Sequence, residues 1–548
     1  MFVTVLVLLT CLCGTSRACD VSIPDRIVAE GAGFRADLVR NRSVWAGKGV
    51  AVSFVKVARG LEAVVSAPQV SLETVRLYWR TDFKANDRLL TDRDPGYWTN
   101  LVGQVQAPWF FLIDHGNRTE GWGVMTQPNA MVCWQVSPGC AEAVLDVRAG
   151  GRGVLLGARP LSAAVFVRSS GAEGMSAFET GRSFCRQMCP MPRLPAEPVY
   201  GYNDWYCAYG ANTATNFLAD AACVVEMSKG LKTRPFVVMD DGWQCVSPPV
   251  IMRQTGKDES GRGPWVQAGD AFGMEMREFS KRISALGAKP GLWYRALRAW
   301  DEAPAAWKRL DDGDYFDPTV PAVLQAIRSD VMRFRDWGFK MMKADYLSYD
   351  FGLDFPVFVK DYSRWASSRV RFRDESRTTA EVILSVYRTI REAAGDGMTL
   401  IGCNAVNHLA PGIFEIQRTG LDTSGTSWAK TVQCGVNAIG MRNIMNGTFY
   451  CADPDCIGLA RADAIPWSSN RLWLDLIVRS GSPLFVSWHR SLMTPEVSRA
   501  LSEAFAKVSR GVPPGEPLDW QVERVPRHWR FADGEVEYDW FGQTENRK

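Results

Sequence analysis

Lys343 and Asp345 sit at the end of a short apolar run, Met341 to Leu347. Residues two apart in a strand share a face, so the lysine and the aspartate point the same way. A neighbouring cation favours the ionised form of a carboxylate, and an ionised carboxylate at the carboxyl end of a buried parallel strand suits nucleophilic work. A Lys-Asp pair alone is equally a structural ion pair. The pattern recurs, however, at other strand ends: Asn203-Asp204-Trp205, Asp240-Asp241-Gly242-Trp243, Trp293, Cys403-Asn404, and Arg418 with Asp422. Singly, Asp240-Asp241-Gly242 reads as a turn, Trp205 and Trp293 as core, and Arg418 with Asp422 as an ion pair. Together these residues are the kit for cleaving a glycosidic bond. Two carboxylates act on the bond, others hold hydroxyls, and rings stack on the sugar.

The elements that must carry these residues follow from the rhythm after Pro198. Eight strands are expected: Val199 to Trp205, Phe236 to Asp241, Pro290 to Tyr294, Met341 to Tyr346, Thr399 to Asn404, Ile413 to Arg418, Asn443 to Tyr450 and Pro483 to Trp488. Helical spacing separates most of them. Asn212 to Lys229 stops at Gly230, and Pro321 to Trp337 carries Val323, Ile327, Val331 and Phe334 on one face before Gly338. The gap between the fifth and sixth strands is too short for a full helix. Eight β/α repeats over residues 198–492 imply an α/β fold, a (β/α)₈ TIM barrel. An open doubly wound sheet is the alternative, weakened because no Gly-rich phosphate turn follows the first strand.

Residues 19–190 instead show period-two runs, such as Val50 to Val57, Leu72 to Trp79, Ala143 to Val147 and Ala164 to Val167, and imply an antiparallel β-sandwich. Met175 to Met188 reads as a helix, and Pro190, Pro192, Pro195 and Pro198 mark a stiff boundary. Residues 493–548 offer a helix, Thr494 to Val508, then a hairpin turning at Asp533-Gly534.

With 548 residues the chain needs more than one core, and 46% hydrophobic with 22% charged residues is ordinary globular composition. The balance of 63 basic and 60 acidic residues, without a basic run, argues against nucleic acid as a partner. The apolar run Phe2 to Leu12, followed by Ser16-Arg17-Ala18, reads as a signal peptide over residues 1–18 and implies export, secreted or periplasmic. No later run reaches the ~20 apolar residues of a membrane span. Export would permit disulfides, with Cys185/Cys189 and Cys451/Cys456 as nearby candidates, and would give meaning to the sequons at Asn41 and Asn117. No CxxC pair is present, and the only histidines are at 115, 408, 489 and 528, so neither a metal nor another cofactor is expected.

The motifs resemble a family. Gly201-Tyr202-Asn203-Asp204-Trp205, Asp240-Asp241-Gly242-Trp243-Gln244 and Lys343-Ala344-Asp345 are similar to motifs of the α-galactosidase clan, glycoside hydrolase families 27 and 36. Gly291-Leu292-Trp293, Gly402-Cys403-Asn404 and the β-rich N-terminal region lean towards family 36. Arg418-Thr419-Gly420-Leu421-Asp422 resembles the stretch bearing the acid/base, and Asp453-Pro454-Asp455 is similar to a motif near the seventh strand. The resemblance covers about Pro198 to Arg490. It implies a retaining exo-α-galactosidase in which Asp345 attacks and Asp422 serves as acid and base. Asp240 and Asp241 would take the 4- and 6-hydroxyls and Lys343 the 3- and 4-hydroxyls. Arg418, Cys403 and Asn404 would sit near the 2-position, with Trp205 and Trp293 as walls.

Three departures stand out, the first being Tyr202 and Asp204 in place of residues of the opening motif. Tyr294-Arg295-Ala296-Leu297-Arg298 replaces the family's acidic stretch and would set cations at the pocket mouth, while the C-terminal β region is short. The carbohydrate-directed alternatives are a raffinose-synthase-like galactosyl transferase and a non-catalytic sugar-binding protein. The oligomeric state is not legible.

Overall fold

The structure is a computed structural model that describes residues 17–91, 99–244, 261–353, 364–461, 464–523 and 525–542. Its central feature is a parallel sheet of nine strands. These are β1 (Tyr200–Asn203), β2 (Phe236–Met239), β3 (Lys289–Tyr294), β4 (Met341–Ala344), β5 (Thr399–Gly402), β6 (Ile416–Arg418), β7 (Cys451–Asp453), β8 (Ile457–Leu459) and β9 (Leu484–Trp488). Strands β1 to β7 pair in chain order, and β9 pairs with both β1 and β8. Strands β7 and β8 are two pieces of one stave, interrupted by Pro454-Asp455-Cys456. One piece joins β6 and the other joins β9, which closes eight staves into a (β/α)₈ barrel. Closure rules out the open doubly wound sheet.

The seventh stave corrects the sequence reading. Asn443 to Tyr450, expected as a strand, is the turn after the helix Asn437–Arg442. Its polar side chains decide this. The Asn443 amide donates to the carbonyl of Gly515 at 2.6 Å, and the Asn446 amide donates to that of Ser480 at 3.2 Å. Gly447 adopts φ 72°, a turn conformation that a strand does not use. Between β5 and β6, residues 403–415 form turns without a helix, as the short gap required.

Alternation along the staves sets the direction of the functional residues. Phe236, Val238, Met341, Ile401, Ile416 and Phe485 pack together inside the barrel. Asp240, Lys343, Cys403 and Arg418 lie two residues further along the same faces, so they emerge at its carboxyl end. Beneath them the interior is filled. A space of about 20 Å³ remains between Lys343, Arg418, Asp455 and Phe485, so the barrel is a packed core rather than a pore.

The N-terminal region forms two antiparallel sheets, of ten and six strands. Three of the expected runs lie within Val50–Val57, Leu72–Arg80 and Leu161–Ser170, and the fourth, Ala143 to Val147, overruns Cys140–Asp146 by one residue. Trp79, Trp134 and Phe166 fill the space between the sheets, with ring centroids 5.2 to 5.8 Å apart. This sandwich grips the barrel through His408 in the β5–β6 loop. The imidazole stacks on Trp109 at 5.3 Å and bonds the Val124 carbonyl at 2.7 Å. The expected helices follow at Ala177–Met188, Ala214–Met227, Pro321–Asp336 and Pro495–Val508. A three-stranded sheet ends the described chain, with His528–Phe531 and Gly534–Glu537 as its hairpin.

The expected signal peptide lies mostly outside the described residues. Its boundary at residue 18 falls in Arg17–Cys19, a strand paired with Leu161–Ser170. Asn41 is exposed at the end of the strand Val39–Asn41, and Asn117 is exposed on a bend. Cys185, Cys189, Cys451 and Cys456 are free thiols, so neither candidate disulfide forms. The first pair stands one helical turn apart, with the Cys189 amide bonded to the Cys185 carbonyl. No helix among the described residues is long and apolar enough to cross a membrane.

Gly201 is fixed by space. A Cβ there would lie 1.7 Å from the Phe236 carbonyl oxygen, on the neighbouring stave. Gly201→Ala should therefore cost about 3 kcal/mol or more of stability. Denaturant unfolding checks this, and a loss under ~1 kcal/mol would mean that the β1–β2 seam yields easily.

Candidate active site

Asp345 follows β4 immediately and is 8% exposed. Three donors hold its carboxylate. Trp293 Nε1 donates to Oδ2 at 3.0 Å, Asn404 Nδ2 to Oδ1 at 2.9 Å, and the Tyr346 backbone amide to Oδ1 at 2.7 Å. Two of these donors belong to strained backbone, since Tyr346 has φ 57° and Asn404 has φ 54°. Left-handed non-glycine residues cost of order 1–3 kcal/mol each and gather at functional sites. Here the left-handed turn at Tyr346 folds its own amide back onto the preceding carboxylate.

Lys343 does share a face with Asp345, but its nearer partner is Asp240. Nζ stands 2.7 Å from Asp240 Oδ2 and 3.9 Å from Asp345 Oδ2. Asn203 Nδ2 bonds the same Asp240 oxygen at 2.8 Å. Two further side chains brace the backbone here. Asp204 Oδ1 accepts the Asp240 amide at 2.7 Å, and the Asn212 amide donates to the carbonyls of Asp240 and Asp241, each at 3.1 Å. Asp241 takes a hydrogen bond from Gln244 at 2.5 Å. Gly242, at φ 115°, lets the chain pass Gly210, whose backbone a Cβ would meet at 2.4 Å. Trp243 is fully buried and bonds the Trp293 carbonyl at 3.0 Å, tying this turn to β3.

Arg418 is buried and holds two carboxylates, Asp422 at 2.8 Å and Asp455 at 3.1 Å. Asp455 is the anchor of the loop. It accepts from the Thr423 amide at 2.8 Å, from the Thr423 hydroxyl at 3.1 Å and from the Tyr206 hydroxyl. Asp422, one residue before Thr423, has a side chain 55% exposed. Partial burial acts to raise its pKa, but Arg418 and Lys343 outweigh that and hold it below the usual carboxylate value. The buried Cys403 thiol is pushed well above its ordinary pKa, first by desolvation and then by the charge of Asp345; Asp422 acts on it too. The Trp205 ring packs against Tyr209, with centroids 5.2 Å apart.

The structure thus links Asp240, Lys343, Asp345, Trp293 and Asn404 by direct contacts, and Arg418, Asp422 and Asp455 in a second group. Asp204 and Asp455 were in view in the sequence without a role. Their signal is positional, because both stand at stave ends, but their duty is to other residues. The cationic mouth expected from Arg295 and Arg298 is not formed. Arg295 is 1% exposed, clamps Asp350 at 2.8 Å and lies 3.6 Å from the Tyr346 ring centre, while Arg298 is 4% exposed and meets Asp314 at 3.3 Å. Among the described residues, no cluster of histidine, cysteine, aspartate or glutamate suits a metal ion.

Burial pushes the carboxyls of Asp453, Asp241 and Asp204 up, to about 6, about 7 and about 8 respectively. Each binds its proton more tightly in the folded chain than in the unfolded one, whose carboxylates titrate near ~4. Their stabilising contribution is complete below that pH and is lost as pH rises through the three folded values. Asp204→Asn keeps an oxygen for the Asp240 amide and removes the highest titration. Thermal unfolding followed from pH ~5 to ~9 should fall less steeply for this variant than for the wild type. Equal slopes would show that Asp204 takes no part.

No protein-family model matches the sequence, and comparison with curated proteins gives no match. Solved structures do match in fold. An α-galactosidase from Thermus thermophilus, solved with p-nitrophenyl α-D-galactopyranoside, superposes with a TM-score of 0.59 at 15% identity, covering 96% of this chain and 99% of that one. The α-galactosidase of Lactobacillus brevis gives 0.57 at 13%, over 93% and 71% of the two chains. That of Geobacillus stearothermophilus, of glycoside hydrolase family 36, gives 0.55 at 10%, over 84% and 67%. At such identities the likeness establishes the shared fold.

Proposed function

We propose that this chain is a retaining glycoside hydrolase that releases terminal α-galactose, with Asp345 as nucleophile and Asp422 as acid/base. The observation that carries this reading is the harness on Asp345. Three donors orient a carboxylate at the carboxyl end of a barrel stave, beside a Lys343–Asp240 pair able to grip hydroxyls. Support comes also from the fold, since similar structures hold p-nitrophenyl α-galactoside, stachyose and raffinose.

An Asp345 oxygen attacks the anomeric carbon as Asp422 gives its proton to the departing oxygen. The glycosyl ester then yields to water, which Asp422 deprotonates. Trp293, Asn404 and the Tyr346 amide keep the nucleophile in line and take no proton. Asp240 accepts from sugar hydroxyls while Lys343 donates. A buried carboxylate left unpaired by the wrong epimer would penalise it.

In the free protein Arg418 keeps Asp422 ionised, so the acid role requires release. Arg418 already has a second, buried partner in Asp455. A sugar ring that displaces water from the half-exposed Asp422 strengthens the desolvation that raises its pKa, while Arg418 settles on Asp455.

Asp345→Gly should lower turnover of an aryl α-galactoside by at least about a thousandfold. Added azide should restore cleavage and yield the β-galactosyl azide, because the vacated face is the one opposite the leaving group. Near-normal activity of this variant would sink the assignment. Product analysis with and without a sugar acceptor separates hydrolysis from transfer.

Asp455→Asn leaves Arg418 to Asp422 alone and removes a nearby negative charge. Both changes favour the ionised acid, so the alkaline limb of kcat, which reports the substrate complex, should move to lower pH, by roughly one unit. A limb that stays in place, or moves upward, would refute the sharing of Arg418.

A further inference from the structure

We propose, resting on Asp345 as the nucleophile of the hydrolase reading, that Arg295 is a positioning residue for it. The guanidinium holds the Tyr346 ring and Asp350, and so fixes the left-handed turn whose amide donates to Asp345. Arg295 stands where the family resemblance calls for an acidic stretch, and it is buried, so it serves the interior of the site rather than its mouth.

The conformation of Tyr346 needs support. At φ 57° a residue with a Cβ is strained, and such strain persists only where the surroundings over-determine it. Here they do. Arg295 Cζ lies 3.6 Å from the centre of the Tyr346 ring, well inside the ~6 Å of a cation–π contact. Trp293 meets the same ring at nearly a right angle with centroids 6.4 Å apart, and the Tyr349 ring stands at 6.1 Å. The Asp350 amide donates to the Tyr346 carbonyl at 3.2 Å, which closes one turn between them. At its far end the Asp350 carboxylate takes the Arg295 fork, Nε at 3.0 Å and Nη2 at 2.8 Å, while the Asp350 carbonyl accepts from Arg309 at 2.9 Å. One guanidinium thus grips both ends of the segment that follows the nucleophile.

Position along the chain explains why this residue can do so. Arg295 follows β3 directly and stands two residues after Trp293, so both side chains leave the same face of the stave. Trp293 donates to Asp345 Oδ2 at 3.0 Å, and the Tyr294 carbonyl between them accepts the Asp345 amide at 2.9 Å. Three consecutive residues therefore hold Asp345: a direct donor, a backbone acceptor and a cation acting through Tyr346. A flat guanidinium can stack on a ring and bond a carboxylate with its edge at the same time, which the point charge of a lysine cannot.

The test removes the cation from the full chain without stranding a buried carboxylate. Arg295→Met combined with Asp350→Asn leaves the net charge around Asp345 unchanged, and Tyr346→Leu, which removes the ring alone, carries the test if that pair folds poorly. Either variant should lower kcat for an aryl α-galactoside by at least about tenfold with KM within about threefold, because a displaced nucleophile loses rate rather than affinity. All three substitutions together should cost no more than the larger single loss, since ring and cation act through one another. A smaller fall in kcat, a fall matched by a rise in KM, or losses that multiply would overturn the role. Hydrogen exchange at the Tyr346 amide reads the same turn without catalysis. It should quicken at least about tenfold in the Arg295→Met, Asp350→Asn protein, and unchanged protection would overturn the role as well. Asp345→Gly, measured alongside, separates the two claims. If it is inactive while the Arg295 variant turns over fully, the positioning role falls and the hydrolase reading stands; if it stays active, both fall.

Discussion

Two buried cations, Lys343 and Arg418, must neutralise a crowd of carboxyl groups at the barrel mouth. Asp204, Asp240, Asp241, Asp345, Asp422, Asp453 and Asp455 all stand at or just beyond stave ends. An uncompensated buried charge is too costly to keep, so a carboxylate there is paired, richly hydrogen-bonded or protonated. All three solutions appear. Lys343 pairs with Asp240, and Arg418 spans Asp422 and Asp455. Asp345 is held by three donors, while Asp204 and Asp241 are pushed towards the neutral form. The site is thus an allocation of scarce positive charge, which leaves some carboxyls ionised and others neutral.

The same constraint explains where the backbone is strained. Cations are too few to serve Asp345 and Asp455 fully, so neutral donors must be brought to them. Tyr346, Asn404 and Asp455 are all non-glycine residues at positive φ, directly after β4, β5 and β7. In each case the departure from strand geometry aims a donor. The Tyr346 amide and the Asn404 side chain reach Asp345, and the Cys456 amide reaches Asp455 at 2.7 Å. The break that splits the seventh stave into β7 and β8 belongs to this pattern. Keeping the stave straight would sacrifice the residue that anchors the Asp422 loop.

Much of this was legible from sequence because barrels impose periodicity. Two-residue spacing put Met341, Lys343 and Asp345 on one face, and apolar runs located seven of the eight staves. The seventh was misread because Asn443 to Tyr450 mixes apolar residues with asparagines whose side chains serve distant carbonyls, a tertiary effect without local signature. Partner choice was invisible for the same reason. Sequence spacing set Lys343 beside Asp345, yet Asp240, from another stave, lies closer. Arg295 likewise reads as a surface cation until Asp350 and the Tyr346 ring enclose it. Spacing reports which face a residue occupies, whereas contacts across staves depend on closure.

The placement of the two central carboxylates carries one more implication. Asp345 is nearly enclosed and belongs to a stave whose neighbours on both sides supply its donors, so its position varies little. Asp422 rides on a loop, more than half exposed at its side chain, and is tied down through Thr423 and Arg418. If Asp345 and Asp422 hold the roles proposed for them, the nucleophile needs fixed geometry, because a small displacement from the anomeric carbon is costly. An acid/base needs a pKa that moves during the cycle, which a group sealed permanently against one cation cannot provide. Exposure makes Asp422 sensitive to whether water or a sugar covers it, and Asp455 gives Arg418 somewhere to go. Under the proposed roles, rigidity falls to the stave and titration to the loop, a division that follows from burial together with the donors and cations each carboxylate meets.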